Sequence, residues 1–221
     1  MPPKPKFTRE EVVEVALKLV SEKGMESLTA RELGERLGSS ARPIFTAFRN
    51  MEELTDEVRA AAMRKYDTYV GTAVNYTPAF KRFGMQMVLF AIEEPNLFRL
   101  LFMRDNQERA NFSTVEELLG PTRLLCIGAI AGDYGMTEQE AAAFFEHMWV
   151  FTYGLAVLCA TGMCKFSEEE ICIILGRQFM GSLGLMKSGG WDAPTPRPEM
   201  QISKKILEKD QTQPAVDTFP R

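Results

Sequence analysis

A single histidine, His147, and four cysteines, Cys126, Cys159, Cys164 and Cys172, are all the imidazole and thiol groups of this 221-residue chain. No two cysteines form a CxxC pair and all four have apolar neighbours, so buried reduced thiols are expected; a redox sensor built on Cys159 and Cys164 is the sharper alternative. There is no Ser-His-Asp spacing, no phosphate-cradling glycine loop and no metal-ligand cluster, so neither an enzyme nor a cofactor is expected. A basic–apolar–small leader is absent from the start, and the longest apolar stretches, such as MWVFTYGLAVLCATGM, carry polar breaks and fall short of a bilayer span. A cytoplasmic chain with no membrane partner is the expectation. Basic charge is scarce too: the net charge is −4. That balance is uneven, since residues 1–66 hold 12 basic and 11 acidic side chains and the remaining 155 hold 14 and 19. Any nucleic-acid surface must therefore be local, moderate in attraction and sensitive to salt.

What the chain has in abundance is one local signal. Ser or Thr followed three residues later by Glu occurs at Thr8/Glu11, Thr29/Glu32, Ser113/Glu116, Thr137/Glu140 and Ser167/Glu170, with Asn50/Glu53 as a variant. Each pair can close a capping box just ahead of an apolar-periodic run. One match carries little; six, most with helical period behind them, predict an all-α protein. The expected helices are 8–23, 29–37, 40–48, 50–70, 77–94, 95–103, 113–119, 121–134, 137–161 and 167–186. Pro78, Pro95 and Pro121 fall where a first helical turn tolerates proline. From Lys187 the composition is linker-like, with a short amphipathic turn, ISKKILEK, at 202–209.

The stretch RELGERLGSSARPIFTAFRN, residues 31–50, places two short helices around a glycine turn. Ala30, Leu33 and Leu37 make the apolar face of the first. Gly38 supplies the left-handed residue that ends it, and Ser40 is the expected cap of the second. Ile44, Phe45 and Phe48 are expected to be buried, with Val12, Val15, Ala16 and Leu19 of the first helix closing a three-helix core. Two helices joined by a short glycine turn describe a helix-turn-helix. With Ser40 as cap, Pro43 falls in the first helical turn, where its missing N–H has no partner to lose. The start of the second helix then presents Ala41, Arg42 and Pro43 to base edges. Arg42 is the long donor suited to guanine O6 and N7, while Ala41 and Pro43 offer apolar contact.

The pattern built on Gly24, Leu28-Thr29, Leu33-Gly34, Leu37-Gly38-Ser39-Ser40, Phe45, Phe48 and Glu52-Glu53-Leu54 resembles the TetR family of bacterial one-component regulators over roughly residues 8–66. The resemblance implies an all-α homodimer with an N-terminal three-helix helix-turn-helix domain that binds a palindromic DNA operator. It also implies a larger C-terminal helical ligand-binding and dimerisation domain, with a small-molecule effector that releases the operator. The corresponding divisions are an arm and helix-turn-helix at 1–49, a linking helix at 50–70, a ligand and dimer domain at 71–190 and a tail at 191–221. Phe45, Ala47 and Met51 stand where the family commonly has Tyr, His or Tyr, and Lys, so those phosphate contacts do not carry over. Thr29, Arg31, Ser40, Thr46 and Arg49 remain as candidates for phosphate contact.

Residues 80–186 are rich in Met and Phe, most of which belong to a core. Some are expected to line a cavity for an apolar or flat aromatic effector: Phe90, Phe98, Phe102, Met103, Phe144, His147, Met148, Phe151 and Thr152. Trp149 and Tyr153 sit one turn apart on the same helix. The last long helix carries Gly176, Gly181 and Gly184 at near-helical spacing, each costing about 1 kcal/mol relative to Ala. Close approach of a second copy would offset that cost, so these glycines with Met180 are the expected dimer interface. The competing reading is a helical small-molecule or protein-binding adaptor that has lost DNA binding.

Overall fold

The computed structural model describes residues 6–103 and 112–191. The Ser113/Glu116 box, the turn at 202–209 and the tail from 192 onward lie outside what is described. The chain divides into two compact units, Met1–Leu183 and Gly184–Arg221. Among the described residues there is no strand. Nine helices follow in order: α1 Arg9–Lys23, α2 Ala30–Arg36, α3 Ile44–Ala47, α4 Met51–Gly71, α5 Ala79–Glu93, α6 Pro95–Phe102, α7 Phe112–Tyr134, α8 Glu138–Ala160 and α9 Glu168–Lys187.

The helix starts form as their caps dictate. Thr8 and Glu11 close a reciprocal box, with N–H to side-chain distances of 2.8 and 3.2 Å, and Thr137/Glu140 and Ser167/Glu170 do the same. At Thr29 and Asn50 only half of the box forms. Each side chain accepts from the third amide onward, but Glu32 turns to Lys23 and Glu53 turns to arginines. A stronger cationic partner outcompetes the reach back to a neutral amide. α7 is broken at Gly120, whose φ of 45° and ψ of −122° no helix accommodates, followed at once by Pro121. The two expected helices, 113–119 and 121–134, are the two arms of this element. Pro95 sits in the first turn of α6, whereas Pro78 stands outside α5 in extended conformation.

The second helix of the helix-turn-helix departs from expectation. It begins at Ile44 rather than after Ser40, and spans four residues. Pro43 lacks the amide that a cap at Ser40 would bond, and a residue preceding proline is steered out of the helical region. Regular helix therefore starts only after the proline, with Ile44 N–H bonding Ala41 O at 3.1 Å and Thr46 N–H bonding Pro43 O at 3.2 Å. Phe45 is also not core: it is 49% exposed, while Ile44 and Phe48 are buried. Ile44 and, just past the end of α3, Phe48 take the buried side one turn apart, and Phe45 stands on the exposed side.

The turn ahead of α3 is a Schellman motif. Ser39 N–H bonds Gly34 O at 2.9 Å, Gly38 N–H bonds Glu35 O at 3.1 Å, and Gly38 takes φ 60°. Gly34 is required by proximity: a Cβ there would meet Ser40 C at 3.0 Å, Ala41 N at 3.1 Å and Ser39 O at 3.2 Å. Around this turn Val12, Ala16, Leu19, Leu33, Ile44, Phe48, Leu54 and Val58 form the buried head core, with Val15, Ala30 and Leu37 half-buried at its edge.

The larger core is organised on α5. Phe80, Phe83 and the run from Met85 to Ala91 are buried on every side of it, which marks a central helix. It packs against α4, α6, α7 and α8. Its buried amide is satisfied, Gln86 Nε2 donating to Thr72 Oγ1 at 2.7 Å. α8 is long and apolar enough to cross a membrane by length and composition. Its apolar residues Ala141, Phe144, Phe145, Met148 and Leu155 are instead buried within the bundle. All four cysteines are free; Cys126 is buried and the other three are half-buried.

Gly34→Ala should destabilise the protein by roughly 1–3 kcal/mol, because three backbone atoms must shift. Urea unfolding of the variant beside wild type checks this; an unchanged midpoint would mean the turn relaxes freely.

Candidate nucleic-acid interface and core cavity

The exposed side of the α3 segment collects Arg42, Phe45, Thr46 and Arg49. Arg42 makes no ion pair with a described residue, and Thr46 Oγ1 donates to Arg42 O at 3.3 Å. Arg49 is 88% exposed and its Nε donates to Glu53 at 3.1 Å. Ser40 is exposed, whereas Ala41 and Pro43 are half-buried. On α2, Arg31 pairs with Glu35 one turn on, and Thr29 spends its hydroxyl on the cap.

What fixes this segment is a residue the sequence reading passed over. Arg9, at the start of α1, donates through Nη1 to Ala47 O at 2.7 Å and to Glu53 Oε1 at 2.9 Å. Its Nη2 donates to Glu57 at 3.2 Å, and its guanidinium lies 4.2 Å from the Phe48 ring centroid. One planar cation thus ties the C-terminal carbonyl of α3 to the first two turns of α4. Glu53 also accepts the Arg49 backbone N–H at 2.8 Å. That backbone bond, with the side-chain bonds from Arg9 and Arg49, holds the Glu53 carboxyl down to about 2 from an ordinary 4.5.

A folded-state value below the unfolded one stabilises the fold above pH 4.5, and the contribution is lost as pH falls toward 2. Glu53→Gln should therefore lower the urea midpoint at neutral pH and flatten its fall between pH 4.5 and 2. A variant curve parallel to wild type over that window would contradict the assignment.

The second feature is a cavity of about 40 Å³ in the larger core, room for water-sized guests only. Tyr66 of α4, Phe83, Gly84 and Met87 of α5, Leu119, Thr122 and Cys126 of α7, and Met148, Trp149 and Thr152 of α8 are among its walls. A smaller void of about 20 Å³ adjoins it, sharing Phe80, Gly84, Met148 and Thr152, with Lys81 of α5 and Leu175 and Phe179 of α9 completing its walls. Among the described residues no charged side chain lines the larger cavity. Thr122 Oγ1 donates to Asp67 at 2.9 Å and Thr152 Oγ1 to Met148 O at 2.8 Å. Burial pushes the Tyr66 hydroxyl and the Cys126 thiol far above their ordinary values, so both stay neutral.

Of the nine residues expected around a ligand, Met148 and Thr152 line the cavity. Phe90, Phe98 and Phe144 are fully buried in the surrounding packing, Phe90 edge-on to Tyr66 and Phe144 against Phe80 and Phe179. Phe102 packs on Tyr66 and Phe98, and Phe151 is half-buried. Met103 is 38% exposed. His147 is exposed, its ring nitrogen 3.1 Å from Gln178 of α9. Trp149 and Tyr153 stack at 5.0 Å, and Tyr153 donates to Phe102 O. The missed wall residues, Phe83, Met87 and Cys126, carry no local signal beyond apolarity.

Head and body meet at Glu94, between α5 and α6. One carboxylate oxygen accepts from Ser21 of α1 and the other from Lys65 of α4, while Asn96 Nδ2 donates to Ser21 O at 2.9 Å. Elsewhere, Val150, Ile173 and Met180 are exposed apolar residues of α8 and α9. A Cβ at Gly181 or Gly184 would meet open space, and at Gly176 only Lys81 Nζ at 3.9 Å.

Gly84 is an α5 interior residue whose Cβ would meet Leu175 Cδ1 at 3.5 Å and Thr152 Oγ1 at 3.8 Å, ordinary contact distances. Gly84→Ala should raise stability by up to about 1 kcal/mol through helix propensity and partial filling. A lower melting temperature by calorimetry would show that the cavity wall cannot accept the methyl.

Residues 12–58 match the family model described as bacterial regulatory proteins, tetR family. Tetracycline repressor protein class C of Escherichia coli is 40% identical over 58 residues, which are 26% of each chain. The aligned segment thus spans about a quarter of that repressor's length. The fold as a whole is similar to the crystal structure of a protein assigned as a transcriptional regulator from Pseudomonas aeruginosa PAO1. That match has a TM-score of 0.60 at 15% identity, and covers 85% of this chain and 96% of that one.

Proposed function

We propose that this chain, a member of the TetR family of bacterial regulatory proteins, is a cytoplasmic homodimeric repressor that binds a palindromic operator and is released by a small effector. The observation that carries the reading is the exposed set Arg42, Thr46 and Arg49 on a segment clamped by Arg9. Arg42 reads guanine O6 and N7. Thr29, Arg31, Ser40, Thr46 and Arg49 bind phosphates, and half-buried Ala41 and Pro43 brace the turn against the groove. The effector enters the cavity at Met148 and Thr152. It is apolar or aromatic, because Phe83, Met87 and Trp149 face it there. The space of about 40 Å³ must swell to admit it, and flexible Met87 and Met148 are suited to that.

Two copies associate through Gly176, Met180 and Gly181, and Val150 of α8 and Ile173 of α9 are further exposed apolar residues of the same unit. α4 couples the sites, since it begins at the Glu53 clamp and carries Tyr66 into the cavity wall. The effector acts by binding the DNA-incompetent arrangement more tightly than the competent one. A second reading, a helical adaptor without DNA binding, draws on the acidic balance and on Phe45, Ala47 and Met51, none of which bonds a phosphate.

Selection of random duplex DNA by the purified dimer separates the two. An inverted repeat should be enriched, and Arg42→Ala should flatten preference at one base of each half-site at a cost of about 1–3 kcal/mol. No enrichment at low salt from a folded dimer would leave the adaptor reading standing.

A further inference from the structure

Phe45 is the one large hydrophobic side chain of the described residues 6–71 that stands as much as 49% exposed. The other large apolar residues of the head are buried or half-buried, down to Ile44 at 0% in α3 and Phe48 at 2% just after it. Exposed aromatic carbon is unfavourable in water by about 25 cal/mol per Å². An isolated apolar residue on a surface is ordinary. This one is set apart by its place: its exposed neighbours are Arg42, Thr46 and Arg49, the polar and cationic groups of the proposed DNA face.

The ring has no hydrogen-bonding atom, so it makes no hydrogen bond to a phosphate or a base edge. A major groove offers one apolar group, the C5-methyl of thymine. We infer that Phe45 is a specificity-determining residue whose ring packs on the C5-methyl of one thymine in each half-site, beside the base read by Arg42. This rests on the DNA-binding reading above and adds to it a base that no hydrogen bond would select.

The test uses the full-length dimer and its selected operator, with thymines replaced one position at a time, symmetrically, by deoxyuridine. That change removes the methyl and leaves base pairing intact. Affinities are measured by fluorescence anisotropy at one salt concentration for wild type, Phe45→Ala and Phe45→Leu. At one thymine position wild type should weaken by about fourfold per half-site, the worth of one apolar carbon taken from water. Phe45→Ala should not respond at that position, and Phe45→Leu should keep part of the response. The inference is overturned if wild type responds to no methyl, or if Phe45→Ala loses as much as wild type at the same position. It is overturned too if Phe45→Ala weakens binding to all sequences alike, which would mark a sugar or backbone contact. A selection that yields no operator overturns the DNA-binding reading itself, and is seen before any uracil is placed.

Discussion

The Arg9 guanidinium ties α3 to α1 and α4. A helix of four residues has no stability of its own, since nucleation alone exceeds what its few hydrogen bonds return. α3 keeps its shape because its ends are held from outside. Ile44 and Phe48 are buried in the head core, and the Ala47 carbonyl is bonded by a cation that also holds Glu53 and Glu57. The same carboxylate of Glu53 caps the approach to α4 through the Arg49 amide. Position and orientation of the exposed face of α3 are thus properties of α1 and α4.

How much of this was legible depends on the range over which each signal acts. The boxes at Thr8, Thr137 and Ser167 involve neighbours three residues apart, and the structure contains them as read. The Gly38 turn and the Gly120-Pro121 break are equally local, since backbone conformation at a glycine or proline is set on the spot. The failures have longer range. Glu32 and Glu53 left their expected amides for Lys23 and Arg9, which only the folded chain brings near. Phe45 was assigned to the core by counting helical period from Ser40, a count that Pro43 invalidates by delaying the helix.

The cavity shows the limit most clearly. Density of Met and Phe points to α5 and α8, which wall the cavity together with α4 and α7, but does not say which of their side chains border it. A void exists where four helices fail to fill the space between them. That is a property of summed volumes, which no single stretch encodes. Phe90 and Phe144 pack fully while Phe83 and Met87 border space, although the residue types are the same. Arg9 was missed for a related reason: an arginine in a first helical turn has no local sign of what it will hold.

The void has a consequence for the volume of the system as well as for its free energy. Internal space of about 40 Å³ per molecule is about 24 mL per mole, of the order of the volume a small protein sheds on unfolding, which scales with such space. Hydrostatic pressure acts directly on that quantity, because it favours whichever state has lost the space. A guest that swells and fills the cavity changes that volume without unfolding anything. Forms with and without the guest therefore differ in compressibility, and pressure reports its binding even where the guest has no colour, charge or fluorescence.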